Sequence, residues 1–146
     1  MIFLIALFIL SLDQLTKSII VKNLSVNQSI PVIKGIFHLS LVYNRGAAFG
    51  ILKGQAIFLI FTAVIAVSLI IITLKKSSGA KFSAEKISLS IILAGALGNL
   101  IDRFVFGYVI DFLDFRIWPV FNVADSAITI GAIMLGWTIL FAKNKM

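Results

Sequence analysis

Four apolar runs, each near the roughly 20 residues that cross a bilayer, dominate this chain of 146 residues. They lie at about Met1–Val21, Gln55–Leu74, Ile87–Val105 and Val123–Ala142. Inside lipid every backbone N–H and C=O must be satisfied within the chain, so runs of this length are expected as helices. The expected fold class is therefore an all-α membrane bundle of four transmembrane helices, built as one integral membrane domain over residues 1–146. With a mean hydropathy of +1.10 the chain has more apolar surface than a soluble domain of this size needs to build a core. The first run lacks a basic leader and a small-residue cleavage site, and reads as a retained helix.

The connecting segments differ in character. Lys22–Gly54 is long and carries two stretches rich in β-formers, Ile30–Ile33 and Phe37–Tyr43, with Gly35 between them. A small sheet on the outer membrane surface is expected there. In Gly46-Ala47-Ala48-Phe49-Gly50 side-chain bulk is low, which suits a close backbone approach. Lys75–Lys86 is short and basic, and Phe106–Asn122 reads as a loop of medium length.

Lysine density near the spans (Lys75, Lys76, Lys81, Lys86, Lys143, Lys145) orients both termini to the cytoplasm. The net charge of +7 is explained in the same way, because no basic stripe with interleaved aromatics suggests nucleic acid. Thiol chemistry and disulfides are excluded by the absence of cysteine, and His38 alone cannot build a histidine metal cluster. No metal or cofactor is expected. A monomer is expected for a bundle whose polar side chains can all turn inward.

Six acidic residues are present, and five of them (Asp13, Asp102, Asp111, Asp114, Asp125) fall at the same membrane face by the order of the spans. Carboxylates at the edge of hydrocarbon are costly and point to function. Asp13 and Lys17 stand one turn apart on a helical face, either as an ion pair that lets Lys17 snorkel outward or as part of a site. Asn99, Asp102 and Arg103 share a face of the third span, with a local Asp–Arg pair as the plain alternative. Asn122 is placed to cap the fourth span, and Asp125 follows one turn inside. Ala94, Gly95, Gly98, Ala127, Gly131 and Ala132 allow the third and fourth spans to approach closely. Two carboxylates in a dry cleft cannot both ionise easily and can act as an acid–base pair. That permits an aspartyl hydrolase without identifying one.

Five motifs carry a more specific message. They are Asp13-Gln14-Leu15-Thr16-Lys17, Tyr43-Asn44-Arg45-Gly46-Ala47-Ala48-Phe49-Gly50, Gly98-Asn99-Leu100-Ile101-Asp102-Arg103, Val109-Ile110-Asp111-Phe112 and Phe121-Asn122-Val123-Ala124-Asp125-Ser126. In this order and spacing they resemble the bacterial lipoprotein signal peptidases (signal peptidase II) over essentially the whole chain. The resemblance implies an inner-membrane aspartyl endopeptidase with an extracytoplasmic β-cradle and no cofactor. Its implied substrates are diacylglyceryl-modified prolipoproteins, cut just before the lipidated lipobox cysteine beside membrane lipids. By motif position Asp111 and Asp125 correspond to the catalytic pair. Asp13, Lys17, Asn44, Gly46, Asn99, Asp102, Arg103 and Asn122 correspond to residues that line or brace the site. The alternative reading is a small transporter or proton-conducting bundle, which would spread polar residues through the membrane depth. The second span, almost wholly apolar from Ala56 to Leu74, disfavours it.

Overall fold

A computed structural model describes residues 2–46, 52, 54–76 and 83–141. Lys53, Lys81, Lys143 and Lys145, which bear on orientation, lie outside the described residues, as do Ala47–Gly50. The element order is α1 (Ile2–Asn23), β1 (Ser29–Ile33), β2 (Phe37–Asn44), α2 (Ala56–Lys76), α3 (Ala84–Phe106), β3 (Val109–Asp114) and α4 (Val123–Phe141). All four helices are long and apolar enough to cross a membrane. Their limits match the four apolar runs to within three residues. The largest difference is at the start of α3, where the Ser83 hydroxyl accepts the Lys86 N–H at 3.2 Å and begins the helix a turn early.

The bundle is built around α3, which packs on α1, α2 and α4. Its inward stripe includes Leu89, Leu93, Ala94, Gly98, Asn99 and Asp102. α2 sits at the periphery with only Val67 buried, so its apolar surface is available to lipid tails. Small residues set the α3–α4 approach. A Cβ on Gly131 would lie 2.7 Å from Ile92 Cγ1, and one on Gly98 would lie 3.3 Å from Ala124 Cβ, and 2.5 Å from Asp13 Oδ2 of α1. A Cβ on Gly95 would run into the Ala124 carbonyl oxygen. Ala94 and Ala127 are buried as expected, but Ala132 is exposed: one residue beyond Gly131, it has rotated off the helix–helix seam.

β1 and β2 form a hairpin whose turn uses Gly35 at φ +76°, a left-handed backbone that favours glycine. The sheet has a third strand that was expected to be loop. β3 pairs antiparallel with β2, giving the order β1-β2-β3, with Val42 opposite Asp111 and Asn44 opposite Val109. Its Val-Ile-Asp-Phe-Leu-Asp sequence interrupts simple alternation with acids, and the free edge of β2 supplies the missing partner. Gly107, left-handed at φ +77°, ends α3 by donating its N–H to Arg103 O at 3.0 Å and turns the chain into β3. Ile20 of α1 packs with Leu41, Ile110 and Phe112, so the sheet is anchored on the end of α1.

Candidate active site

The site grows from the start of α4. Asn122 is the N-cap residue: its Oδ1 accepts the Asp125 N–H at 2.8 Å, and Asp125 Oδ2 accepts the Asn122 N–H at 3.3 Å. This reciprocal box satisfies two N–H groups that a helix start leaves open. A third, that of Ala124, donates to Asp13 Oδ1 at 2.9 Å, so a carboxylate from α1 sits at the positive end of α4.

Behind the cap lies a buried ionic network. Lys17, 1% exposed, places Nζ 2.9 Å from Asp13 Oδ2 and 2.8 Å from Asp102 Oδ2, and donates to Asn99 Oδ1 at 3.1 Å. Gln14 Nε2 lies 3.1 Å from both Asp13 Oδ2 and Asp102 Oδ1. Asp102 Oδ2 also accepts the Ile110 N–H at 3.1 Å, fastening β3 to the end of α3. An ammonium group without water needs such a set of acceptors. Lys17 therefore does not snorkel outward, and no Asp102–Arg103 ion pair is formed among the described residues.

Lys17 also fixes the polarity of the amides in front of it. Lysine can only donate, so Asn99 must present its oxygen to Lys17 and its NH2 to Asp125 Oδ1, at 2.7 Å. Asn122 then presents NH2 to Asn99 Oδ1 at 3.1 Å and to Asp111 Oδ1 at 2.7 Å. The cap bond independently demands the same orientation of Asn122, because a backbone N–H is also donor-only. Each carboxylate thus receives an oriented amide donor. Asp111 receives a second, from Asn44 Nδ2 to Oδ2 at 2.9 Å.

Asp111 and Asp125 line one cleft of about 500 Å³, joined through Asn122. Asn44, Gly46, Asn99 and Arg103 line it as well. Asn44 Oδ1 accepts the Gly46 N–H at 2.9 Å, and Arg103 donates to Gly46 O at 3.2 Å, so these two residues hold the backbone at Gly46. Burial, then the neighbouring charge of Asp125, push the Asp111 carboxyl up to about 7 against the pull of its two amide donors. Near neutral pH it is therefore partly protonated. Such a cleft can offer a proton acceptor and a proton donor side by side.

A model described as signal peptidase (SPase) II matches residues 5–141. The chain belongs to the signal peptidase II family. This makes it a peptidase, and its four apolar helices fit the multi-pass membrane character of the family. It is 48% identical over 135 residues to the lipoprotein signal peptidase of Halothermothrix orenii, covering 92% of each chain. The lipoprotein signal peptidase of Moorella thermoacetica is 48% identical over 142 residues, covering 97% of this chain and 94% of that protein. A bacterial membrane enzyme solved at 2.3 Å superposes with a TM-score of 0.91 at 35% identity, over 98% of this chain and 89% of its own.

Within this signal peptidase II fold the ten site residues expected from sequence divide into two layers. Asp111, Asp125, Asn44, Gly46, Asn99 and Arg103 face the cleft, whereas Asp13, Lys17 and Asp102 brace it from behind. Asn122, fully buried, joins the layers. Asp114 does not join them: it lies elsewhere on the sheet with Ser40 and Arg116, so four carboxylates converge instead of five. Sequence reasoning missed Gln14, a second polar residue next to Asp13 inside a span. It also missed Thr129, which stands one helical turn beyond Asp125 and lines the cleft.

Proposed function

We propose that this protein removes the signal peptides of diacylglyceryl-modified prolipoproteins, cleaving just before the lipidated lipobox cysteine by aspartyl chemistry. The observation that carries this reading is the pair Asp111 and Asp125 in one cleft, bridged by Asn122. One carboxylate takes a proton from water while the water oxygen bonds to the scissile carbonyl carbon. The other donates its proton to the carbonyl oxygen, giving a gem-diol. As the diol collapses the C–N bond breaks, the departing amine takes a proton from the carboxyl group that received one, and a diol hydroxyl returns its proton to the other carboxylate. Because the two groups titrate as a pair, the shared proton belongs to the pair and the role of base is not assigned to one named residue.

Two further features support the lipidated substrate. The cleft is also lined by Trp118, Val120 and Ile128, apolar surface beside which acyl chains can stay in lipid. Binding of those chains positions the peptide before reaction. The lysines of the 75–86 connection favour a cytoplasmic location for that end, with the sheet and cleft near the extracytoplasmic face. The inward network satisfies the buried charges within one chain, which supports a monomer.

Cleavage of a purified, lipidated prolipoprotein tests the reading. Wild-type protein should process it and leave the unlipidated precursor largely uncut. Full turnover by Asp111→Asn or Asp125→Asn with native helicity would remove the aspartyl assignment.

A further inference from the structure

Gln14 is a half-buried amide inside the first span that does not line the cleft. Its Nε2 lies 3.1 Å from Asp13 Oδ2, 3.1 Å from Asp102 Oδ1 and 3.3 Å from Gly98 O. All three neighbours are acceptors, so the NH2 end of the amide must face them, and it ties one carboxylate to the other. Lys17 makes the same connection, at 2.9 Å to Asp13 and 2.8 Å to Asp102. One ammonium cannot neutralise two buried carboxylates. Gln14 adds N–H donors to the excess negative charge without adding a charge of its own.

Each of these two acids also holds one backbone N–H. Asp13 Oδ1 accepts that of Ala124 at 2.9 Å, and Asp102 Oδ2 accepts that of Ile110 at 3.1 Å. Ala124 is the residue before Asp125, and Ile110 is the residue before Asp111. The backbones that carry the two cleft carboxylates are therefore linked through α1, from Ala124 to Asp13, across Gln14 and Lys17 to Asp102, and on to Ile110. Asn122 joins the same two stretches on the cleft side, through Ile110 O at 3.2 Å and Asp111 Oδ1 at 2.7 Å.

We propose that Gln14 is a positioning residue for the aspartate pair: by holding Asp13 and Asp102 together it fixes the spacing of Asp111 and Asp125. The role rests on the reaction proposed above and assigns control of its two acids to a side chain outside the cleft. Without the amide, Asp13 and Asp102 repel across a single ammonium, and Ala124 and Ile110 move with them. Wider spacing weakens the repulsion that keeps one cleft carboxyl protonated.

The test is the pH profile of Gln14→Met, which keeps side-chain length and helix propensity and loses the donors. For wild type the alkaline limb of kcat on a lipidated prolipoprotein is expected at about 7. In Gln14→Met it should move acid by roughly one pH unit, the scale of coupling that makes two acids titrate together. At neutral pH kcat should fall by up to roughly 10²-fold, with KM little changed. Lost stability alone would reduce the amount of active protein and leave the limb in place. Asp125, Lys17 and Arg103, the charged groups facing Asp111 from α4, α1 and α3, are unaltered, so a displaced limb reports spacing. Thr16→Val removes only bonds to carbonyls of its own helix and should keep the wild-type profile. Carboxyl 13C NMR, with the Asp111 signal assigned by its loss in Asp111→Asn, repeats the comparison without turnover. An active Asp111→Asn variant would remove the aspartyl reaction, whereas an Asp111 titration that is unchanged or moved alkaline in Gln14→Met overturns the positioning role. If Gln14→Met does not fold, Gln14→Asn, one methylene short of bridging both acids, must move the titration acid, and an unchanged value overturns the proposal.

Discussion

Asp111 and Asp114 stand three residues apart on β3 and have opposite surroundings. An odd separation on a strand sends two side chains to opposite faces. Asp111 turns toward a second carboxylate and two amides, and its carboxyl is pushed up to about 7 by burial and by the charge of Asp125. For Asp114, burial works against the charge. The Ser40 hydroxyl at 2.7 Å and the Arg116 backbone N–H and guanidinium outweigh it, holding the carboxyl below the usual carboxylate range. A carboxylate beside a cation and a hydroxyl is stabilised as a charge. One beside a second carboxylate, with neutral donors only, is held ready to exchange a proton.

The sharpest way to break this contrast is to neutralise each acid in turn. Asp111→Asn and Asp125→Asn should each lower turnover of a lipidated prolipoprotein by roughly 10²- to 10⁴-fold, the span attributed to positioned acid–base groups. Asp114→Asn should leave turnover near wild type. If the Asp114 variant were as inactive as the Asp111 variant, the division of β3 into a reactive and a structural face would fail.

The two cations beside these acids should differ as well. Lys17 is enclosed by Asp13, Asp102 and Asn99, and removing one member of a buried ionic set costs about 3–5 kcal/mol. Lys17→Met should therefore lower thermal stability in detergent severely, and activity with it, because Asn99 loses the donor that fixes its amide. Arg116 is 49% exposed, and solvent screening limits its ion pair with Asp114 to at most about 1 kcal/mol. Comparable destabilisation in Lys17→Met and Arg116→Ala would show that the inner network tolerates an uncompensated charge.

These differences explain how much could be read in advance. The helices were legible because a bilayer imposes one length and one composition on each span. The β1–β2 hairpin was legible through Gly35 and its β-formers. β3 was not, since Asp111 and Asp114 break the alternation and their strand exists by pairing with β2. The same interruption hid the separation of the two acids: the order of the spans gathers five aspartates at one face, but only the pleat of β3 assigns Asp114 to another cluster. The two layers of the site were equally illegible. Asp13 and Asp125 belong to motifs of similar strength, yet one caps α4 from behind and the other faces the cleft.

pH gives opposite signs for the two acids. Because the Asp111 carboxyl is raised to about 7, the folded protein binds more protons there than the unfolded chain between the ordinary carboxylate range and 7. Its contribution to stability therefore falls as pH rises through that window and levels off above it. Activity that needs the protonated carboxyl should decline as pH passes about 7. Asp114 is depressed, so the stability it contributes is present above the ordinary carboxylate range and is lost as pH falls through its lower folded value. Unfolding midpoints measured against pH should lose the slope up to about pH 7 in Asp111→Asn. Asp114→Asn should instead flatten only the acidic limb, and a reversed pattern would exchange the roles assigned to the two residues.

The smallest expected effect tests whether the two faces of β3 are energetically separate. Ser40→Ala removes one hydrogen bond to Asp114, which keeps the Arg116 backbone N–H at 2.8 Å and the guanidinium at 2.9 Å. With those partners retained, the loss should be about 0.5–1.5 kcal/mol of stability. The Asp114 carboxyl should move back toward the usual range. Any influence on Asp111 must travel along β3 through the pairing of Leu39 with Leu113 and Val42 with Asp111, where the register is already irregular. An irregular ladder between the two sites is a poor transmitter of small displacements, so kcat/KM for the lipidated substrate should stay within about twofold of wild type. A tenfold loss would mean that the Ser40–Asp114 cluster holds β3 in the position that Asp111 requires, making it a third layer of the site instead of a separate structural cluster.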